Sequence, residues 1–269
     1  MLCYIGQLSL YCFLGTCVPF LVSIMYNYHN FKFYGSYYLL PVIYFILVNV
    51  IAALIYKRHA YKVAARSVNL GFVLAVGVYL RVVAPDHIKI FGVYMCVLSI
   101  FHYTEFLCMA YIQPKLVSVD SFVINHSMQY SIAAFASWIE FFVESYFCPE
   151  MKKTYLVSDI GLVICIVGEL LRKAAMLTAS SNFNHLVQCE KADDHVLVTH
   201  GVYGIFRHPS YLILANPICM LSYTVACWMF FKERITIEEI MLLNFFGQQY
   251  CDYQQKVRTG LPFIDGYKI

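Results

Sequence analysis

Long apolar runs recur along this chain, at 2–26, 37–56, 68–83, 90–112, 130–147, 155–171 and 211–231. A helix that crosses a bilayer needs about 20 mostly apolar residues, with about 17 as the practical minimum. All the runs but 68–83 reach that length, so the sequence predicts an all-α, polytopic transmembrane protein. Hydrophobic residues make up 61% of the chain and charged ones 13%, the latter roughly half the share usual in soluble domains. The first run has no basic stretch before it and no small-residue cleavage site after it, so it is expected to be a retained helix and not a signal peptide. The longest polar stretches, about 172–208 and 232–269, must supply whatever chemistry the helix ends do not.

The net charge is only +3, but its distribution carries topology. With six helices before Arg172 and a cytoplasmic N-terminus, Lys57, Arg58, Lys62, Arg66, Lys115, Arg172, Lys173, Lys191 and Arg207 share the cytoplasmic face. Lys32, Arg81, Lys89, Lys152 and Lys153 lie on the other. That bias follows the positive-inside rule. No basic stripe points to nucleic acid. The eleven cysteines form no C-x-x-C and sit mostly inside apolar runs, as small buried hydrophobes do.

Within the spans the ionisable residues are Glu105, Glu140, Glu144 and Glu169, and intramembrane carboxylates are functional candidates by default. Glu140 and Glu144 lie close to Pro149 and can reach the interface, while Glu169 can pair with Arg172 on one helical face. His195 and His200, beside Asp193 and Asp194, match no common metal spacing, and no metal is expected. Neither G-x-G-x-x-G after a strand nor G-x-x-x-x-G-K-[ST] occurs, so any nucleotide-like cofactor binds by another route.

The segment "GVYGIFRHPSY" is the most distinctive in the chain. With "FHYTEF", "NHSMQYSIAAFASWIEF", "GELLRKAAMLTASSNFNHLVQ", "HVLVTHGVYGIFRHPSY", "NPIC", "FFKERITIEE", "FFGQQY" and "TGLPFI", it resembles the isoprenylcysteine carboxyl methyltransferases. The likeness runs from about Phe101 to the end; positions 1–100 match only as apolar spans. It implies one membrane domain over 1–269, with N-terminal transmembrane helices in 1–100 and a methyltransferase core in 101–269. That core would carry a cytoplasmic segment, 172–209, and a tail, 232–269. The bundle would have about seven to eight membrane segments and a cytoplasmic cofactor pocket, in the endoplasmic reticulum membrane.

The resemblance further implies S-adenosylmethionine as methyl donor, with S-adenosylhomocysteine as product. Gln188, His195, Val196, Leu197, Val198, Tyr203, His208, Pro209, Ser210, Tyr211 and Glu238 would line its site. Arg234 would hold the carboxylate of a farnesyl- or geranylgeranyl-cysteine at a protein C-terminus, the prenyl tail lying in membrane lipid. Arg234 and Glu238 are four apart in a helical stretch and share a face; an exposed i,i+4 ion pair is the alternative reading, and it would contribute little. Phospholipid methyltransferases and sterol reductases carry similar pieces of the RHPSY region, and a non-catalytic paralogue or a transporter are further alternatives. "NHS…SWIEF" and "TGLPFI" favour the prenylcysteine enzymes, and the absence of an internal repeat disfavours a transporter.

One segment departs from the family. Only Leu212, Ile213, Leu214 and Ala215 separate RHPSY from NPIC, where relatives carry a longer stretch rich in glycine and aromatics. As a helix, 211–231 gives about 31 Å at ~1.5 Å per residue, which is one crossing of a core about 30 Å thick. A single crossing would place Arg234 and Glu238 on the face opposite His208 and reverse the charge bias, so an even number of crossings, a re-entrant turn around Asn216-Pro217, or a sequence lacking about eleven residues at this point is expected. Single cysteines at Lys268 and Asp194 in sealed membranes should therefore react with an impermeant reagent from the same face. Labelling from opposite faces would exclude a shared pocket.

Overall fold

The computed structural model describes residues 2–29, 39–124, 128–153, 155–185, 190–191, 196–208, 217–261 and 263–267. Their regular structure is helical: α1 (Tyr4–His29), α2 (Leu39–Ile55), α3 (Arg58–Val83), α4 (Asp86–Ile112), α5 (Met128–Phe147), α6 (Tyr155–Ala179), α7 (Pro217–Phe246) and α8 (Gln248–Lys256). Among the described residues there is no strand, only an isolated parallel bridge between Phe206 and Arg258. In lipid a backbone must satisfy its own polar groups, which is why apolar runs of this length become helices. Among the described residues three helical stretches are long and apolar enough to cross a membrane: Tyr4–Val22, Arg58–Val83 and Asp86–Ile112. The chain divides into two compact units, Met1–Tyr155 and Leu156–Ile269.

In the first unit α3 packs against α1, α2 and α4. The apolar run 68–83, too short to span by itself, is the C-terminal part of this longer helix. Val63, Ala64, Ser67, Val68, Leu70, Gly71, Ala75 and Gly77 are its buried residues, recurring at the three- and four-residue spacing of one helical face. Ring stacking fills the core, with Phe13 on Tyr103 at 3.7 Å and Phe106 on Phe122 at 4.1 Å between centroids. Buried hydroxyls join helices: Ser9 to Ser67 at 2.8 Å, and Ser99 to the Leu70 carbonyl at 2.7 Å. Lipid tails are as apolar as leucine, so close packing and such bonds hold helices together in a membrane.

Glu144, read as reaching the interface, pairs with Lys152. In the second unit Glu169 meets Lys173 at 2.8 Å, one helical turn on. Helix α6 continues past Arg172 to Ala179, because R-K-A-A-M-L-T-A is composed mostly of good helix formers. Helix α7 begins at Pro217, a residue suited to a first helical position, and runs unbroken through the KERITIEE stretch. Residues Leu212 to Asn216 lie outside the described residues.

The α3–α4 crossing depends on two glycines. A Cβ on Gly92 would sit 2.5 Å from the Gly77 carbonyl oxygen and 2.7 Å from the Arg81 nitrogen, both backbone atoms. Gly92→Ala must therefore push the helices apart and should destabilise the unit by about 1–3 kcal/mol. Gly15→Ala, whose added Cβ meets nothing within 4 Å, is the control. Thermal unfolding in detergent should show a lowered midpoint for the first variant and none for the second.

Candidate functional site

Past Phe231, α7 leaves its apolar stretch and presents Arg234, Glu238 and Glu239. Successive helical residues point about 100° apart, so the two glutamates serve different surroundings. Glu239 is fully buried. Its Oε1 lies 3.0 Å from Arg207 Nη1, 3.2 Å from His208 Nε2 and 3.3 Å from the Tyr250 hydroxyl. Its Oε2 accepts from Gln254 Nε2 at 3.2 Å and from the Tyr267 backbone N–H at 2.6 Å. Burying a carboxylate costs several kcal/mol unless it is paired and its lone pairs are filled, and here both conditions are met. Gly266 makes room: with φ +80, a Cβ there would lie 1.9 Å from Glu239 Oε2.

The cations arrive on the strip just before Pro209. Its backbone pairs with the tail, Arg207 N–H donating to the Arg258 carbonyl at 2.9 Å and His208 N–H to that of Thr259 at 3.1 Å. Arg207 Nη2 donates to the Asp265 carbonyl at 2.7 Å. Arg207 Nη1 is near Glu239 but lacks hydrogen-bond geometry to it, so its pull on that carboxylate is coulombic.

His208 lies between the two carboxylates, with Nδ1 3.3 Å from Glu238 Oε2 and Nε2 3.2 Å from Glu239 Oε1. Only an imidazolium donates from both nitrogens. Burial alone would lower its pKa, but the bonds and charges of Glu238 and Glu239 outweigh that and raise it above the ordinary value. Glu238 also accepts from Arg234 Nε at 2.9 Å, and Arg234 Nη2 donates to the His185 carbonyl at 2.8 Å. The i,i+4 pair is therefore real but not a solvent-exposed one, since its side chains are 16% and 20% exposed.

Leu197 packs against Leu243, Tyr250 and Tyr253 on α7 and α8. The Val196 N–H donates to Asn182 Oδ1 at 2.8 Å, while its side chain is exposed. The backbone N–H groups of Leu197, Val198 and Thr199 find no partner among the described residues, which leaves them for solvent or a ligand. The Tyr203 carbonyl accepts from the Tyr253 hydroxyl. Burial, then Tyr253 and Glu238, push the Tyr203 phenol far up against the opposing pull of Arg172; burial pushes that of Tyr253 up to about 12. Both stay neutral.

Of the residues read from the sequence, His208, Arg234 and Glu238 are thus gathered in one charge cluster; Leu197 and the Tyr203 carbonyl meet the Tyr250 and Tyr253 side chains beside it, and Val196 is bonded to Asn182 instead. Gln188, His195, Pro209, Ser210 and Tyr211 lie outside the described residues. The sequence reading missed Arg207 and Glu239. The signal was the doublet Glu238-Glu239, in which a carboxylate turned away from the first must find its own cation. His208 and Glu238 are in contact. One crossing of a core about 30 Å thick would hold them apart.

Comparison with known proteins decides the family. A model of the isoprenylcysteine carboxyl methyltransferase (ICMT) family matches residues 160–244. A protein-S-isoprenylcysteine O-methyltransferase of Tribolium castaneum is 56% identical over 285 positions, covering 100% of both chains. That of Homo sapiens is 48% identical over 233, covering 82% of each. The chain belongs to the isoprenylcysteine carboxyl methyltransferase family. A solved structure of a eukaryotic intramembrane Ras methyltransferase of this family superposes with a TM-score of 0.93 at 55% identity, over 99% of this chain and 100% of that one. The chain is accordingly an enzyme, a multi-pass membrane methyltransferase. The alignment with the Tribolium protein is 16 positions longer than the 269 residues present, so it includes at least that many positions where this chain has no residue.

A raised pKa for His208 has a defined consequence for this methyltransferase fold. The stabilisation from protonated His208 is complete below its unfolded value of about 6.5 and is lost as pH rises through the higher folded value. The thermal midpoint should fall as pH is raised above about 6.5, and His208→Gln should flatten that dependence. Glu239→Ala, which strands the buried Arg207 charge, should cost about 3–5 kcal/mol. Circular dichroism melts across pH check both.

Proposed function

We propose that this enzyme transfers a methyl group from S-adenosylmethionine to the C-terminal carboxylate of prenylated proteins, at the cytoplasmic face of the endoplasmic reticulum. The supporting observation is the charge alternation Arg234–Glu238–His208, mostly buried, at the polar end of a helix that begins apolar. Its residues suit the donor. Glu238 offers a carboxylate to its positive groups, the free N–H groups of 197–199 offer donors to its polar edges, and Tyr203 offers an aromatic face. On this reading Gln188, His195, Val196, Leu197, Val198, Tyr203, His208, Pro209, Ser210, Tyr211 and Glu238 hold the donor, and Arg234 the acceptor carboxylate. The resemblance carries the residues outside the described set.

When bound, S-adenosylmethionine supplies an electrophilic methyl group on a sulfonium and departs as S-adenosylhomocysteine. The chain's own task is positioning. A substrate carboxylate with pKa near ~3.5 is already ionised at neutral pH, so no general base is needed. His208 is suited to none, because both its nitrogens donate to carboxylates. Arg234 presents a planar fork that can hold a carboxylate in one orientation, which a lysine point charge cannot. Orientation and removal of water from the carboxylate then supply the rate.

A prenyl tail partitions into lipid while the donor arrives from water, so the reaction belongs where the two phases meet. With His208 and Glu238 in contact, the positive-inside bias supports the cytoplasm as their side. The bundle then has an even number of crossings between them, or a re-entrant turn, within seven to eight membrane segments overall. The eight residues 209–216 would make about 12 Å of helix, too few for a further crossing.

Arg234→Ala should lower methyl transfer to a farnesylcysteine analogue by roughly 100-fold, the scale of a misplaced reactant, and leave S-adenosylhomocysteine binding nearly intact. Arg234→Lys should be similarly poor, whereas Glu238→Ala should weaken S-adenosylhomocysteine binding. Full activity of Arg234→Lys would remove the carboxylate-holding role. Absence of any transfer by the unaltered chain, with cofactor still bound, would shift the reading to a non-catalytic member.

A further inference from the structure

The first unit carries a second concentration of charge, unrelated to the methyl-transfer residues. Between the start of α3 and the Ser118–Asp120 segment lies a cavity of about 820 Å³. Arg58, Lys62 and Arg66 line it at four-residue spacing along one face of α3, with His59 and Tyr61 beside them and Asp120 as the single carboxylate. The wall opposite is fixed. Arg66 Nη1 donates to the Val119 carbonyl at 2.5 Å, and the Ser118 hydroxyl accepts from the Asp120 N–H at 3.2 Å.

Folding alone does not favour this arrangement. A helix N-terminus carries partial positive charge and is stabilised by anions. The first turn of α3 nevertheless holds no acidic residue, and Lys57 gives it no side-chain cap. Among the described residues Arg58, Lys62 and Arg66 form no ion pair. Arg58 also takes φ +50, a left-handed conformation that costs an L-residue roughly 1–2 kcal/mol. The positive-inside rule accounts for basic residues on this face, but not for their convergence on one cavity.

Depth identifies the occupant. Helix α3 has 26 residues, about 39 Å at ~1.5 Å per residue, but its apolar part begins only at Val68. Its first turns therefore reach out of the hydrocarbon and through the headgroup layer, which adds about 5–7 Å on each side. That layer is rich in phosphate. Arginine forks and backbone N–H groups at a helix start are good phosphate ligands, and basic pockets at this depth bind anionic headgroups.

We propose that this cavity binds the phosphorylated headgroup of an anionic membrane lipid, of the phosphoinositide class. It depends on the chain spanning a membrane, and not on its methyltransferase chemistry. Purified full-length protein in nanodiscs, with phosphatidylcholine alone or with phosphatidylinositol 4-phosphate added, tests it by native mass spectrometry and by competition. The phosphoinositide should remain bound where phosphatidylcholine is lost. Arg58→Gln/Lys62→Gln should weaken retention roughly 25-fold, at about fivefold per cation removed near a membrane surface. Arg58→Lys/Lys62→Arg, which keeps both charges, should retain the lipid and confirm that the site, not the fold, was altered. Equal retention of both lipids, or unchanged binding by the glutamine variant, would overturn the proposal. Displacement by millimolar inorganic phosphate would overturn the lipid source in favour of a soluble anion.

Discussion

Glu239 has no access to water, and the second unit is organised around its charge. The carboxylate draws Arg207 and His208 from one segment, Tyr250 and Gln254 from α8, and the Tyr267 N–H from the tail. A buried charge that loses its partner is expensive, so these pieces are held to one arrangement by the cost of any other. The functional candidates sit on top of that constraint. Glu238 is Glu239's neighbour on α7, and His208 meets Glu239 through Nε2 and Glu238 through Nδ1. Arg234 is then fixed through Glu238 and the His185 carbonyl.

The first unit is held together on different terms. Stacked rings, buried hydroxyls and the close approach at Gly77 and Gly92 join α1, α3 and α4. Hydrophobic burial does not distinguish a helix from lipid, so shape and local hydrogen bonding carry the specificity there.

Much of the site was legible in the sequence because its parts lie in short, distinctive segments. RHPSY and the Arg234–Glu238 spacing named three of the residues that meet in the charge cluster, His208, Arg234 and Glu238. Arg207 and Glu239 escaped because neither shows a periodicity or a spacing of its own. A buried ion pair 32 residues apart is invisible until the fold closes it. The apolar run 68–83 misled in the opposite direction: hydropathy stops at Val68, but helix formation does not, and the helix gains ten residues toward Arg58.

By itself the amino-acid sequence determined the membrane setting, the helical class and the identity of the chemistry-bearing segments. Those depend on local properties, namely apolar length, charge bias and motif. It left open whether His208 and Glu238 stand on the same side of the bilayer, because the stretch between them is as long as one crossing. Only the tertiary structure decided that. It placed the His208 ring 3.3 Å from the Glu238 carboxylate, a contact that a hydrocarbon core between them would forbid.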